Sequence, residues 1–325
     1  MTLQDMPEKV LNNLMNFLDF REILTLQKVS HILRNHINKT QPDFSIILIS
    51  IHVDFNNQKN QIWLKTQDNE ILQVAYQKEG NDTKISWDQK SKFLEDVNYS
   101  NIFFNDFSRI LDHQQSVLTE LKIAAHVIPE DLKKVLKSRK SPIKANKLLM
   151  ETTHQSQVLE VLPLLDIDFL KEIGIYEIRQ NTVQELWKID KIVETDHWKS
   201  AEKFESLGFH VDVSVEHFKH FSKGTWSVST ISAEDLDFLK TSFLQLPTFK
   251  FCVIYYQIFE NLDQLLELFG SPFMIYDLGK ENQKRWYFEF PDNSVLNILL
   301  VPSMIFLTRI EKNEVPKGAD IIVFE

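Results

Sequence analysis

A single cysteine, Cys252, and only seven glycines among 325 residues are the most informative scarcities of this chain. One thiol can neither close an intramolecular disulfide nor build a cysteine-rich zinc site, which excludes a secreted disulfide scaffold and points to a reducing compartment. Glycine stands well below its usual share of about 7%. Neither G-x-G-x-x-G, G-x-x-x-x-G-K-[ST] nor G-x-S-x-G occurs, so phosphate-cradling loops and a hydrolase nucleophile elbow are excluded. Positive charge is also short: 36 Lys and Arg face 46 Asp and Glu, a formal net charge of -10, which argues against coating nucleic acid or an anionic membrane. No run approaches 18 consecutive apolar residues, so no membrane span is expected. Residues 1–21, with acids at Asp5 and Glu8, lack the apolar core of a signal peptide. The expected location is the cytoplasm, with the nucleus as the second choice, and no cofactor or metal is expected.

The 43% hydrophobic and 25% charged content is that of a soluble globular chain with one large or two unequal domains. Apolar side chains at Val10, Leu11, Leu14, Met15 and Leu18 fall at the three-and-four spacing of one helical face, and Pro7 suits a first helical turn. The pattern breaks at Asp19-Phe20-Arg21 and resumes through Ile23, Leu24, Leu26, Val29, Ile32, Leu33 and Ile37. Two or three short helices follow. At Pro42 the helical period stops, and residues 44–87 alternate between polar clusters such as Asn56-Asn57-Gln58, Asp68-Asn69 and Gly80-Asn81-Asp82, the pattern of a strand meander.

From about Tyr99 a short apolar run followed by helical text recurs, with run centres at Leu121, Leu148, Ile173, Phe204, Val228 and Phe251, spaced 23 to 31 residues apart. That period belongs to strand-helix repeats in which stacked neighbours bury a common core. Helices are expected at 129–140, 155–162, 232–244 and 261–269, the third with Ser232 as N-cap and Asp235 in the capping-box position. The regular L-x-x-L-x-L-x-x-N phrase is missing. After Gly270-Ser271-Pro272, apolar runs at 273–276, 285–290 and 295–310 read as closing strands. The expected fold class is α+β to α/β: N-terminal helices, a short antiparallel meander, then an irregular leucine-rich-repeat-like strand-helix solenoid.

Two resemblances add to this reading. The phrase from Met6-Pro7 through Val10-Leu11-x-x-Leu14, Leu18-Asp19, Leu24-x-Leu26 and Val29-Ser30 resembles an F-box, with Met6 where leucine is common and Ser30 where many F-boxes carry cysteine. The text at 116–123, Ile192-Val193-Glu194-Thr195-Asp196-His197-Trp198 and Glu216-His217-Phe218-Lys219-His220-Phe221 resembles the FTH-type domain of the large nematode F-box families. The resemblance implies a division into an F-box at 1–43, a strand-rich connector at 44–97 and an FTH-type recognition domain at 98–325. It also implies a non-catalytic substrate receptor of a Skp-cullin-F-box ubiquitin ligase, which docks on a Skp-family adaptor and through it a cullin, and selects a protein target for ubiquitin-dependent degradation. The alternative is a scaffold that recruits a partner, such as an RNA-binding protein, without degradation.

A forty-residue helical unit is too small for a full core of its own, so its apolar surplus is best satisfied by a partner surface. The adaptor-binding candidates are Met6, Pro7, Val10, Leu11, Leu14, Leu18, Ile23, Leu24, Leu26 and Val29; the plainer reading packs them on the following sheet. Trp226, on an alternating strand, is the candidate target-binding anchor, while Trp187 and Trp198 sit in helical text that favours burial. His210, His217 and His220 with Asp212 and Glu216 are the densest ligand-type cluster, more simply read as packing or surface. Cys252 lies in a strand expected to be buried, where a thiol behaves as a small hydrophobe. Lys133, Lys134, Lys137, Arg139, Lys140, Lys144 and Lys147 form the strongest basic run, which could contact nucleic acid but reads more plainly as a solvated helix face. Nucleic acid and membrane are not the expected partners.

Overall fold

The computed structural model describes residues 6–178, 186–275 and 283–323. The chain separates into two compact units: Met1–Thr152 with Glu160–Leu170, and Thr153–Leu159 with Lys171–Glu325. No helix among the described residues is long and apolar enough to cross a membrane.

The first unit opens with three helices, α1 (Glu8–Met15), α2 (Phe20–Val29) and α3 (His31–Thr40). Five strands follow as an antiparallel meander: β1 (Ile46–Asp54), β2 (Lys59–Thr66), β3 (Ile71–Glu79), β4 (Asp82–Trp87) and β5 (Lys90–Leu94). Gly80 serves one of its turns at φ 66°, but Gln58, Asn69 and Asp88 hold left-handed backbone at the others. Asn and Asp, whose short side chains bond locally, tolerate this conformation better than most, and the turn leading to Gln58 is held by Asp54, which accepts from the Asn57 backbone N–H at 3.0 Å. The scarcity of glycine is therefore compatible with many tight turns.

Helix α4 (Tyr99–His113) is capped by Asn98 and buries Phe103, Phe104, Phe107 and Leu111 on one face, with the Phe103 ring meeting Tyr76 of β3 edge-on at 5.6 Å. Next come β6 (Glu120–Ala125), α5 (Glu130–Lys137) and β7 (Lys147–Thr152). β6 lies parallel to β1, and β7 parallel to β6. Helix α6 (Gln155–Val161) is divided between the two units.

The second unit contains β8 (Glu172–Glu177), β9 (Leu186–Lys188), α7 (Asp190–Val193), α8 (Asp196–Ser200), β10 (Lys203–Leu207), β11 (His210–Asp212), β12 (Lys223–Ser232), α9 (Ala233–Leu244) and β13 (Phe251–Glu260). It ends with α10 (Leu262–Phe269), β14 (Phe273–Ile275), β15 (Gln283–Glu289), β16 (Val295–Val301), β17 (Met304–Ile310) and β18 (Ile321–Val323). β8, β10, β12 and β13 pair in parallel, while β13, β17, β16 and β15 are antiparallel. The capping box at α9 forms, with Asp235 N–H donating to Ser232 Oγ at 3.0 Å and Ser232 N–H to Asp235 Oδ2 at 3.0 Å.

Within each unit the recurrent apolar runs lie side by side: Leu121 is the register partner of Leu148, and Ile173 of Phe204. The sequence period thus records parallel strand pairing. Trp187 departs from its expected helix. It sits in β9, where Trp187 pairs with Val211 and stacks on Phe209 at 4.3 Å, so tertiary packing overrides the local helical text. Trp198 does lie in a helix, among Phe204, Phe218 and Phe221 at 4.7 to 5.7 Å, its indole N–H donating to the His217 carbonyl.

Candidate adaptor-docking surface on the N-terminal helices

Each of the three N-terminal helices is started by its own sequence. The Pro7 carbonyl accepts from the Val10 and Leu11 amides at 2.9 and 3.1 Å, opening α1. Asp19 and Glu22 form a capping box on α2, at 2.7 and 3.0 Å. Ser30, the residue standing where many F-boxes have cysteine, caps α3 by accepting from the Leu33 amide. Arg34 Nε of α3 donates to the Gln27 carbonyl at 2.7 Å, and Lys39 pairs with Glu8 at 3.1 Å. The helices are fixed to one another before any partner arrives.

Their inward faces hold Leu11, Met15, Phe20, Ile23, Leu33 and Ile37. Phe20 continues into the body of the first unit through Phe44, at 6.3 Å, and Phe44 stacks on His113 at 4.4 Å. Arg21 ties α2 to the meander through Glu70 at 3.4 Å.

The ten candidates divide on this geometry. Leu11 and Ile23 are buried and hold the helices together, so they are corrected from contact residues to core residues. Pro7, Val10 and Val29 are exposed; Met6, Leu14, Leu18, Leu24 and Leu26 are half-buried. Among the described residues the most exposed large apolar side chain is Phe17, at 85%, and Ile32 is 56% exposed; neither is among the ten candidates. The signal for Phe17 is a second apolar stripe, Val10 and Leu14 on α1 and Phe17 in the turn just past its end, at i, i+4 and i+7 beside the buried Leu11 and Met15. A short helical unit showing several large apolar groups to water is the mark of an interaction surface.

The other candidates go elsewhere. Trp226 is wholly buried, stacked on Phe218 at 4.4 Å, and is corrected from target anchor to core residue. The side chain lies so close to Gly224 that any Cβ there would overlap the indole. Among the described residues no three His, Cys, Asp or Glu side chains are placed to hold a metal. His210 is buried with Nδ1 2.6 Å from Ser227 Oγ and Nε2 2.8 Å from the Gln257 amide nitrogen. With that amide donating to Nε2, Nδ1 carries the hydrogen and donates to Ser227. His220 faces the Trp198 carbonyl at 2.9 Å. Burial pushes both histidines below their ordinary range, and pushes the Cys252 thiol well up, the opposite of an activated thiolate.

The basic run is largely spoken for. Lys133 pairs with Glu130 and Glu160, Lys134 with Asp131, and Lys147 with Glu120. Arg139 donates to the Leu111 and Gln114 carbonyls at the end of α4, and Lys144 sits over the Phe169 ring.

Comparison with known families now adds to the geometry. The F-box domain family matches residues 3–45, and the FTH domain family matches residues 126–273. The chain carries an F-box domain and an FTH domain. The F-box match coincides with the three helices that leave Phe17, Val29 and Ile32 outside, and the FTH match runs from just before α5 to β14. The chain is also similar to F-box A protein 224 of Caenorhabditis elegans, 21% identical over 322 residues that cover 94% of this chain and 79% of that protein. No solved structure matches it.

Proposed function

We propose that this F-box protein is a substrate receptor of a Skp-cullin-F-box ubiquitin ligase. The F-box docks on a Skp-family adaptor, and the FTH-containing region selects a protein target. The observation that carries the reading is the apolar surface that the F-box leaves exposed: Val10, Phe17, Val29 and Ile32 lie outside while Leu11, Met15, Ile23 and Ile37 are buried. The contact residues are then Pro7, Val10, Leu14, Phe17, Leu18, Leu24, Leu26, Val29 and Ile32, with Met6 at the margin. Hydrophobic side chains held on a rigid helical frame lose little conformational freedom on binding.

The strand-helix repeats belong to the same proposal. In each unit the parallel strands form an open array of the leucine-rich-repeat-like kind, residues 44–97 act as the connector and 98–325 as the recognition domain. The receptor itself carries out no bond chemistry: the thiol and the buried histidines that would be its best reactive groups are engaged in packing and hydrogen bonds.

Co-purification of the full chain with a Skp-family adaptor and a cullin tests the first half of the proposal. Depletion of the chain, with the lifetimes of its co-purifying proteins followed, tests the second: lengthened lifetimes support a degradative receptor, and unchanged lifetimes favour a scaffold.

A further inference from the structure

We propose that the C-terminal half of β13 is a binding site for an extended, basic and apolar segment of a partner protein, which adds as a strand to its free edge. The inference rests on the reading of this region as a protein-binding domain and names the class of segment it takes.

β13 has ten residues, but its two neighbours do not run equally far. On one side β12 stays in register to the end, with Thr230 opposite Ile258, Ile231 opposite Phe259 and Ser232 opposite Glu260. On the other side the last β17 pair is Tyr255 with Met304, followed by one bond from the Tyr256 amide to the Ser303 carbonyl. Backbone groups two residues apart point the same way along a strand, so the N–H and C=O of Ile258 and Glu260 face the side that β17 has left. Among the described residues these groups have no backbone partner on that side. An edge of this kind is a template for another strand.

The other long free edge shows what protection looks like. β5 borders the sheet of the first unit and carries exposed Lys90 and Lys92, the charged side chains that keep edges from pairing. The open stretch of β13 has no lysine. It offers Ile258, 57% exposed, followed by exposed Leu262 and Leu266 on α10.

Charge selects the occupant. From Phe251 to Gly270 the only charged residues are Glu260, Asp263 and Glu267, all exposed, and Glu234 of α9 joins them through Gln264 at 2.5 Å. A second copy of this chain would bring like charges together, whereas a segment alternating apolar and basic residues satisfies the backbone edge, Ile258 and the carboxylates at once.

The test is fluorescence anisotropy at near-physiological salt with the full chain and a labelled decapeptide of alternating lysine and valine. The expected result is saturable binding that falls at least about tenfold for the same peptide with alternate amides N-methylated, which removes strand pairing but keeps the charge. Ile258→Pro removes one outward N–H and spares the β12 ladder, and Glu260→Lys installs a guarding charge; each should weaken binding at least about tenfold. Circular dichroism checks that Ile258→Pro folds, and Glu260→Lys, at an exposed position, decides the matter if it does not. Equal binding of the methylated peptide, unchanged affinity of Glu260→Lys, or self-association of the chain that Ile258→Pro abolishes would each overturn the proposal. A chain that binds a Skp-family adaptor but not the peptide loses this inference and keeps the receptor reading.

Discussion

The F-box helices and the second compact unit use large apolar side chains in opposite ways. Among the three helices and their turns, burying Leu11, Met15, Ile23 and Ile37 leaves Phe17, Val29 and Ile32 in water. In the second unit the largest rings are inside: Trp198, Phe204, Phe218, Phe221 and Trp226 lie within a few ångströms of one another, and none shows more than 1% of its surface. An exposed aromatic is therefore a functional signal in the helices, whereas aromatic abundance in the repeats reports the core. The same contrast explains why Trp226, although interfaces favour tryptophan, stacks on Phe218 inside the core.

The contrast can be broken most severely at Trp198. Trp198→Ala removes the centre of the ring cluster and the indole bond to His217, and should cost about 3–5 kcal/mol, read as a shift in the denaturant midpoint of the full chain. Adaptor binding should survive in conditions where the F-box stays folded. Gly224→Ala places a methyl group against the Trp226 indole and should cost about 1–3 kcal/mol through overpacking, measured the same way; a neutral outcome would mean that the ring moves freely.

A smaller effect depends on pH. Burial depresses His210 and His220 in the second unit and His113 in the first. These groups stay neutral in the fold at pH values where the unfolded chain takes up their protons, so the unfolded state binds more protons as pH falls below the ordinary histidine value of 6.5. Stability is then full above that value and declines from it towards the depressed folded values. Denaturant midpoints at pH 7.5 and near pH 5.5, about one unit to either side of it, should show the decline, and His210→Gln should lessen it. At the surface, Phe17→Ala and Ile32→Ala should change stability by no more than about 0.5 kcal/mol.

Much of this arrangement was legible in the residues. The helical stripes, the F-box phrase, the meander and the Ser232-Asp235 cap are local signals, and local chemistry formed them. The apolar runs around Leu121 and Leu148, and around Ile173 and Phe204, became register partners because parallel strands buried in a layered fold repeat at the length of one strand and its return. What periodicity could not supply was direction. Leu11 on α1 and Phe17 just past its end both fit an apolar pattern, and only the positions of α2 and α3 decide which of them is covered. Helix α4 has visible spacing at Phe104, Phe107 and Leu111 with an Asn98 cap, yet it precedes the first of the recurrent apolar runs and so falls outside their period. Trp187 needed the pairing of β9 with β11, which no neighbour in sequence announces.

The most direct test of the account is the affinity of the full chain for a purified Skp-family adaptor, with the outward variant Phe17→Asp/Ile32→Asp compared with wild type and with the inward variant Ile23→Val. The account predicts that the outward pair, far from the core, lowers affinity at least about tenfold with the denaturant midpoint nearly unchanged, and that Ile23→Val lowers the midpoint by about 0.5–1.5 kcal/mol with affinity kept. Wild-type affinity in the outward variant would contradict it, and would show that the exposed face of these helices is not where the adaptor binds.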